Sequence, residues 1–236
     1  MKALIVMAKR PYPHKTKTRM IPALTAQEAA DLYTCFLQDV LALVQNLPGI
    51  TPFIAYSPAD DETRSYFQKL APDFTLVPQI GADLGARLDG VLTHCLQNGY
   101  AQVAAMNSDS PTLPAVYLAQ VFTRLDDSAV DVALGPCEDG GYYLIGWKRS
   151  HPRLVRAVQM STNHVLQDTL AIAQAENLRV ALLPPWYDID ELAELHRLQE
   201  ELRQKPGIAS HTRRFFEIRD WRTRPELAEG LEIEPA

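Results

Sequence analysis

The chain has 236 residues, 47% of them hydrophobic and 22% charged, with a formal net charge of −6. That length can bury a full α/β core, and the acidic balance argues against nucleic acid or an anionic membrane as the main partner. Three cysteines, Cys35, Cys95 and Cys137, lie far apart with no CxxC or Cys/His pattern, which speaks against zinc or a disulfide framework and for a reduced, cytoplasmic setting.

The opening run Ala3-Leu4-Ile5-Val6-Met7 is too short for a signal peptide or a membrane span and reads as the first strand. Further strands are expected over 52–56, 74–78, 102–106, 130–134, 142–146 and 179–183, from their short apolar runs. Helical periodicity marks 26–45, 62–70, 84–98, 114–125, 163–176 and 189–204. Thr25 can cap the first helix, with Glu28 completing a capping box. Strands alternating with helices imply a mostly parallel sheet covered on both faces. The composition changes after Lys205-Pro206-Gly207. Residues 1–205 therefore read as one domain and 206–236 as a C-terminal extension, with disordered last residues. The aromatic and basic stretch 213–221 is either an interface for a homo-oligomer or a face packed on the domain itself.

Chemistry concentrates at strand ends, where open α/β sheets bind ligands. After the first strand comes Ala8-Lys9-Arg10-Pro11-Tyr12-Pro13-His14-Lys15-Thr16-Lys17-Thr18-Arg19, with five Lys or Arg within eleven positions from Lys9. Such a loop can grip a polyphosphate, Lys as a point charge and Arg as a fork, with Lys9, Lys17 and Arg19 the candidates. The plain alternative is a solvated basic loop.

The fourth strand ends in Asn107-Ser108-Asp109-Ser110-Pro111. Asp109 can hold a magnesium ion on diphosphate oxygens, or merely cap the helix that Pro114 opens. In Trp186-Tyr187-Asp188-Ile189-Asp190, alternation along an extended segment aims Asp188 and Asp190 the same way, towards one metal. Here the alternative is that Asp190 caps the following helix. In Cys137-Glu138-Asp139-Gly140-Gly141-Tyr142-Tyr143, Glu138 or Asp139 can serve as general base, unless the segment is only a tight turn that needs its glycines. Gly140, Gly141 and Tyr142 would line the donor side; of Tyr142 and Tyr143, one belongs to the core and the other to a pocket. Gly81-Ala82-Asp83-Leu84-Gly85-Ala86-Arg87 opens a helix whose amides, at Gly85, and whose Arg87 can meet a base or phosphate; Asp83 as an N-cap is the simpler account. His14 and His164 read as ordinary polar residues.

Together these segments, with Ser161-Thr162, resemble the DUF2064 family of glycosyltransferase-A-like proteins from Lys2 to about Leu198. The resemblance implies a three-layer α/β/α sandwich with a central, mostly parallel mixed sheet. It also implies a nucleotide-binding amino-terminal half, an acceptor-binding carboxyl-terminal half and a Mg2+ or Mn2+ ion at Asp109. The chain departs from the family at His14, where glycine is usual, and at Met160, where tryptophan is usual. Asn107 stands where a DxD motif would have its first acid, so a nucleotidyltransferase-like single-Asp site fits at least as well as a glycosyltransferase one. The leading expectation is transfer of a sugar from a nucleotide-diphospho-sugar to a small-molecule acceptor. The alternatives are a nucleotidyltransferase joining an NTP to a phosphorylated acceptor, and a non-catalytic nucleotide-binding module.

Overall fold

The protein is described by a computed structural model over residues 1–21 and 23–218. These fall into two compact units, the first formed by 1–10, 41–108 and 113–187, the second by 11–40, 109–112 and 188 onward.

The first unit holds a seven-stranded sheet of β1 (Lys2–Lys9), β2 (Ile50–Ser57), β3 (Thr75–Pro78), β4 (Gln102–Met106), β5 (Val132–Pro136), β6 (Tyr142–Trp147) and β7 (Val180–Leu182), in the order β3-β2-β1-β4-β6-β5-β7. Pairing is parallel except where β6 runs antiparallel to β4 and β5. The sheet is thus mixed and mostly parallel, as expected. Central strands read as unbroken apolar runs because both faces are covered. All five residues of β4 are buried.

Alternation along the strands sorts these side chains. Ala3, Ile5, Phe53, Val103, Ala105, Leu134, Ile145 and Trp147 face one core, with Leu88, Val91, Leu92 and Cys95 of α3 (Leu84–Gln97), Leu154 and Val155 of α5 (Arg153–Arg156) and Ala173 of α6 (Val165–Ala175). On the opposite face Gly146 lets Val121 of α4 (Ala115–Asp126) approach closely: an added Cβ would stand 3.0 Å from Val121 Cγ2. Helix α2 (Asp61–Leu70) sets Phe67 against Tyr56 of β2. Burial of these aliphatic and aromatic groups, at about 1.5–3 kcal/mol for each large side chain, outweighs the modest propensities of so mixed a sequence.

The second unit contains α1 (Ala26–Gln45) as far as residue 40, a 3₁₀ turn (Thr18–Met20), α7 (Leu192–Gln204) and α8 (Ser210–Ile218). The capping box expected on α1 forms: Thr25 Oγ1 accepts from Glu28 N at 3.2 Å, and a Glu28 carboxylate oxygen accepts from Thr25 N at 2.9 Å. Helix α8 is fixed by a residue far away in sequence. Asp39 of α1 is buried, and its carboxylate accepts from His211 N (3.0 Å), Thr212 N (2.8 Å) and Thr212 Oγ1 (2.6 Å). These amides belong to the first turn of α8, where helical N–H groups have no partner within the helix. The expected tail beyond 218 lies outside the described residues.

Candidate functional site

The second unit gathers three of the residues singled out in the sequence. Its loop is folded by short-range bonds: Tyr12 N donates to Thr16 Oγ1 (3.0 Å), Lys15 N to Tyr12 O (3.1 Å) and Met20 N to Lys17 O (3.0 Å). Lys17, at the head of the 3₁₀ turn, takes a left-handed conformation, with φ 48° and ψ 42°. Its ammonium turns inward beneath the rings of Tyr33 and Phe36, 6.0 and 5.8 Å from their centroids. There it donates to Asp109 Oδ1 (2.5 Å), Asp190 Oδ1 (2.8 Å) and the carbonyl of Ile189 (2.7 Å). Three N–H groups meet three acceptors, so its donor capacity is filled.

The two carboxylates converge because Ile189 N donates to Asp109 O at 3.0 Å, tying one chain segment to the other. The Lys17 side chain is 6% exposed, against 30% for Asp109 and 44% for Asp190. Burial alone would depress the ammonium pKa, but the charges and hydrogen bonds of Asp109 and Asp190 outweigh it and hold Lys17 above its ordinary range. Arg19 lies at the rim, 67% exposed, with Nη1 3.9 Å from Asp190 Oδ2 and 3.7 Å from Glu191 Oε1.

Both acids escape the capping roles open to them in the sequence. Pro114 occupies the N-cap of α4, with no side-chain cap. Glu191, not Asp190, caps α7, in a reciprocal box with Glu194. Asp188 is half-buried, and Lys17 draws its acidic partners from Asp109 and Asp190. Carboxylate oxygens are hard donors that suit Mg2+ or Mn2+, and here two of them already meet one cationic centre.

The remaining candidates lie in the first unit, and several have evident structural partners. Lys9 ends β1 and is exposed. Ala8 is buried, and its carbonyl accepts from Gln79 Nε2 (3.2 Å), which also donates to Ala55 O (2.7 Å). Gln79, unmarked in the sequence reading, thereby joins β1 to β2. Arg10, one of the five basic residues of the loop, pairs with Glu62 at 2.7 Å and lies over Tyr66. Asp83 caps α3 through Ala86 N (2.7 Å), the simpler of the two accounts of that segment. Gly85 is buried where a Cβ would stand 2.0 Å from Val155 O, and Arg87 Nε donates to Gly81 O at 3.1 Å.

In the loop 137–141, Glu138 and Asp139 are exposed. Asp139 Oδ1 accepts from Gly141 N (2.8 Å), and Gly140, with φ 90°, passes so near Asn163 that a Cβ would lie 2.0 Å from its carbonyl oxygen. Tyr143 is fully buried, with its hydroxyl donating to Pro184 O at 3.1 Å. Tyr142 is half-buried, with its hydroxyl 3.9 Å from Met160 Sδ. Burial pushes both phenols above their ordinary range. His14 has φ 62°, a left-handed conformation that costs glycine least.

A family described as "Uncharacterized protein conserved in bacteria (DUF2064)" matches residues 40–162. The chain belongs to this family. A solved structure of a candidate nucleotide-diphospho-sugar transferase from Desulfovibrio desulfuricans G20 resembles this DUF2064 protein at 28% identity, with a TM-score of 0.81 over 96% of this chain and 92% of that one. CMP:2-keto-3-deoxy-manno-octonic acid synthetase, solved with CTP, shares 11% identity, with a TM-score of 0.57 over 86% of this chain and 99% of that one. A cytidylyltransferase from Leptospira borgpetersenii serovar Hardjo-bovis shares 9%, with a TM-score of 0.54 over 92% and 94%. At these last two identities the likeness is one of fold. No curated protein matches the chain. No described helix is long and apolar enough to cross a membrane.

Proposed function

We propose that this DUF2064 protein is a transferase that takes a nucleotide-activated donor, foremost a nucleotide-diphospho-sugar, and passes the sugar to a small-molecule acceptor. The observation that carries the reading is the convergence of Asp109 and Asp190 on one cationic centre, with Arg19 at its rim. The resemblance to the Desulfovibrio protein supports it. Residues 1–205 form the working domain and 206–236 an extension, in a cytoplasmic setting.

Asp109 and Asp190 would hold Mg2+ or Mn2+, whose charge neutralises the phosphates of a departing nucleotide. The chain's own groups bind and orient. Arg19 presents a planar fork to phosphate oxygens, and Lys9 adds a point charge. Glu138 or Asp139 accepts the acceptor's proton. We assign Arg87, Gly140, Gly141 and Tyr142 to the donor side, each testable by single substitution, and Gly85 to packing against α5.

Nucleotidyl transfer is the second reading, favoured by Asn107 in place of the first acid of a DxD motif. The test is a thermal-shift panel of nucleoside diphosphates, triphosphates and nucleotide sugars, each with and without metal. Metal-dependent stabilisation that Asp109→Asn abolishes is expected, since a ligand bound only by the folded state raises its stability. A nucleotide sugar outperforming its triphosphate favours glycosyl transfer, and the reverse order favours nucleotidyl transfer. No shift with any nucleotide would end both readings.

A further inference from the structure

Among the acids and cations of the second unit, Lys17 is set apart by having no donor left to offer. Its three N–H groups are engaged by Asp109, Asp190 and the Ile189 carbonyl, and its charge lies under two aromatic rings. A lysine that grips a ligand's phosphates needs at least one free donor. A lysine that bridges two acids needs this arrangement instead. Arg19, more exposed and 3.7 to 3.9 Å from its acidic neighbours, is much less committed.

We propose that Lys17 is a positioning residue, the built-in counter-cation of the Asp109–Asp190 pair, which a divalent cation must displace to reach both carboxylates. The idea rests on the metal role given to these acids above. Its physical basis is competition: the ammonium already holds one oxygen of each carboxylate, and its charge repels a cation approaching the pair. It keeps two neighbouring carboxylates from repelling one another when no metal is present. It also makes metal uptake weak until donor phosphates arrive, because these offer the displaced ammonium new acceptors.

The test is direct Mn2+ titration of the full chain, without nucleotide, following free Mn2+ by electron paramagnetic resonance. Lys17→Met and Lys17→Gln remove the charge, and Lys17→Arg keeps it. The uncharged variants are expected to bind Mn2+ about tenfold more tightly or better, because a competing like charge is gone. Lys17→Arg should stay near the parent protein, and Asp109→Asn added to Lys17→Gln should return binding to weak. Should Lys17→Met lose its fold by circular dichroism, Lys17→Gln, which retains an amide donor, carries the comparison. Equal or weaker Mn2+ binding by the uncharged variants overturns the proposal. The readout is independent of the donor: a failed nucleotide panel with the expected Mn2+ order sinks the transferase reading alone, whereas nucleotide binding with the opposite order sinks this one alone.

Discussion

Gly85→Ala separates a packing glycine from a ligand-binding one. Gly85 lies in the first turn of α3, where the sequence offers its amide to a phosphate. In the structure α3 instead meets α5 there, and an added Cβ would stand 2.0 Å from Val155 O and 3.0 Å from Val155 C. The obstacle is backbone, so no side chain can turn aside; α5 would have to retreat by about an ångström or more to restore ordinary contact. Arg156 Nε, hydrogen-bonded to Asp89 Oδ2 at 2.5 Å one turn further along α3, resists that retreat. Overpacking of this kind costs about 1–3 kcal/mol, and a rigid obstacle puts this case near the upper end. Alanine's better helix propensity returns roughly 1 kcal/mol. The net expectation is a loss of about 2 kcal/mol, which for a chain of this size lowers Tm by roughly 4–8 °C. Urea denaturation followed by circular dichroism measures the loss, and nucleotide affinity measured well below Tm should change little. An unchanged Tm together with abolished nucleotide binding would refute the packing account and return Gly85 to the donor site.

Asp39→Ala removes the acceptor for three donors at the head of α8, so α8 should lose protection from proteolysis and hydrogen exchange at a cost of about 1–2 kcal/mol, while the sheet stays protected. Loss of protection across the sheet as well would contradict it. Asp139 is engaged in its own turn by Gly141 N, which asparagine can replace, so Asp139→Asn should keep most of the turnover. Glu138→Gln should lower kcat by about 10²–10⁴, the usual worth of a general base, and the reverse ranking would reassign the base to Asp139. Asp131 is held at about 2, below the ordinary aspartate value, by hydrogen bonds from the Arg179 side chain and then its backbone N–H. A depressed folded-state pKa contributes stability above the unfolded value and loses it as pH falls through the folded one. The stability gap between the parent and Asp131→Asn should therefore be full above about pH 4 and close towards pH 2. Because the pair is partly exposed, the gap should stay below about 1 kcal/mol; a gap that persists at pH 2 would show another cause.

How much was legible follows from where each signal is encoded. Every strand and every long helix of the first unit is marked by a local apolar period, and the start of α3 by Asp83, which caps it through Ala86. The antiparallel course of β6 follows from the short loop 137–141, since a parallel partner needs a long crossover. What escaped is the pairing of distant polar groups. Nothing local announces that Asp39 awaits residues 211 and 212, though an acid inside the apolar stripe of α1 was a signal that it had a buried partner.

The site shows the same division. Asp109, Asp190 and Lys17 stood out in the sequence by their places beside strand ends, because such places position functional groups in α/β sheets. Which group each one meets was not readable, because a lysine beside a strand end looks alike whether it turns out to a phosphate or in beneath Tyr33 and Phe36. The choice is made by tertiary neighbours: the Ile189–Asp109 backbone bond brings the two acids together, and Glu191 takes over the capping work that would have occupied Asp190. Two acids that cap no helix and one lysine without a spare donor form a unit with one negative charge in excess, and a metal that takes both acids has to compete with that lysine. The order in which metal and donor bind should therefore be a property of Lys17 more than of either acid.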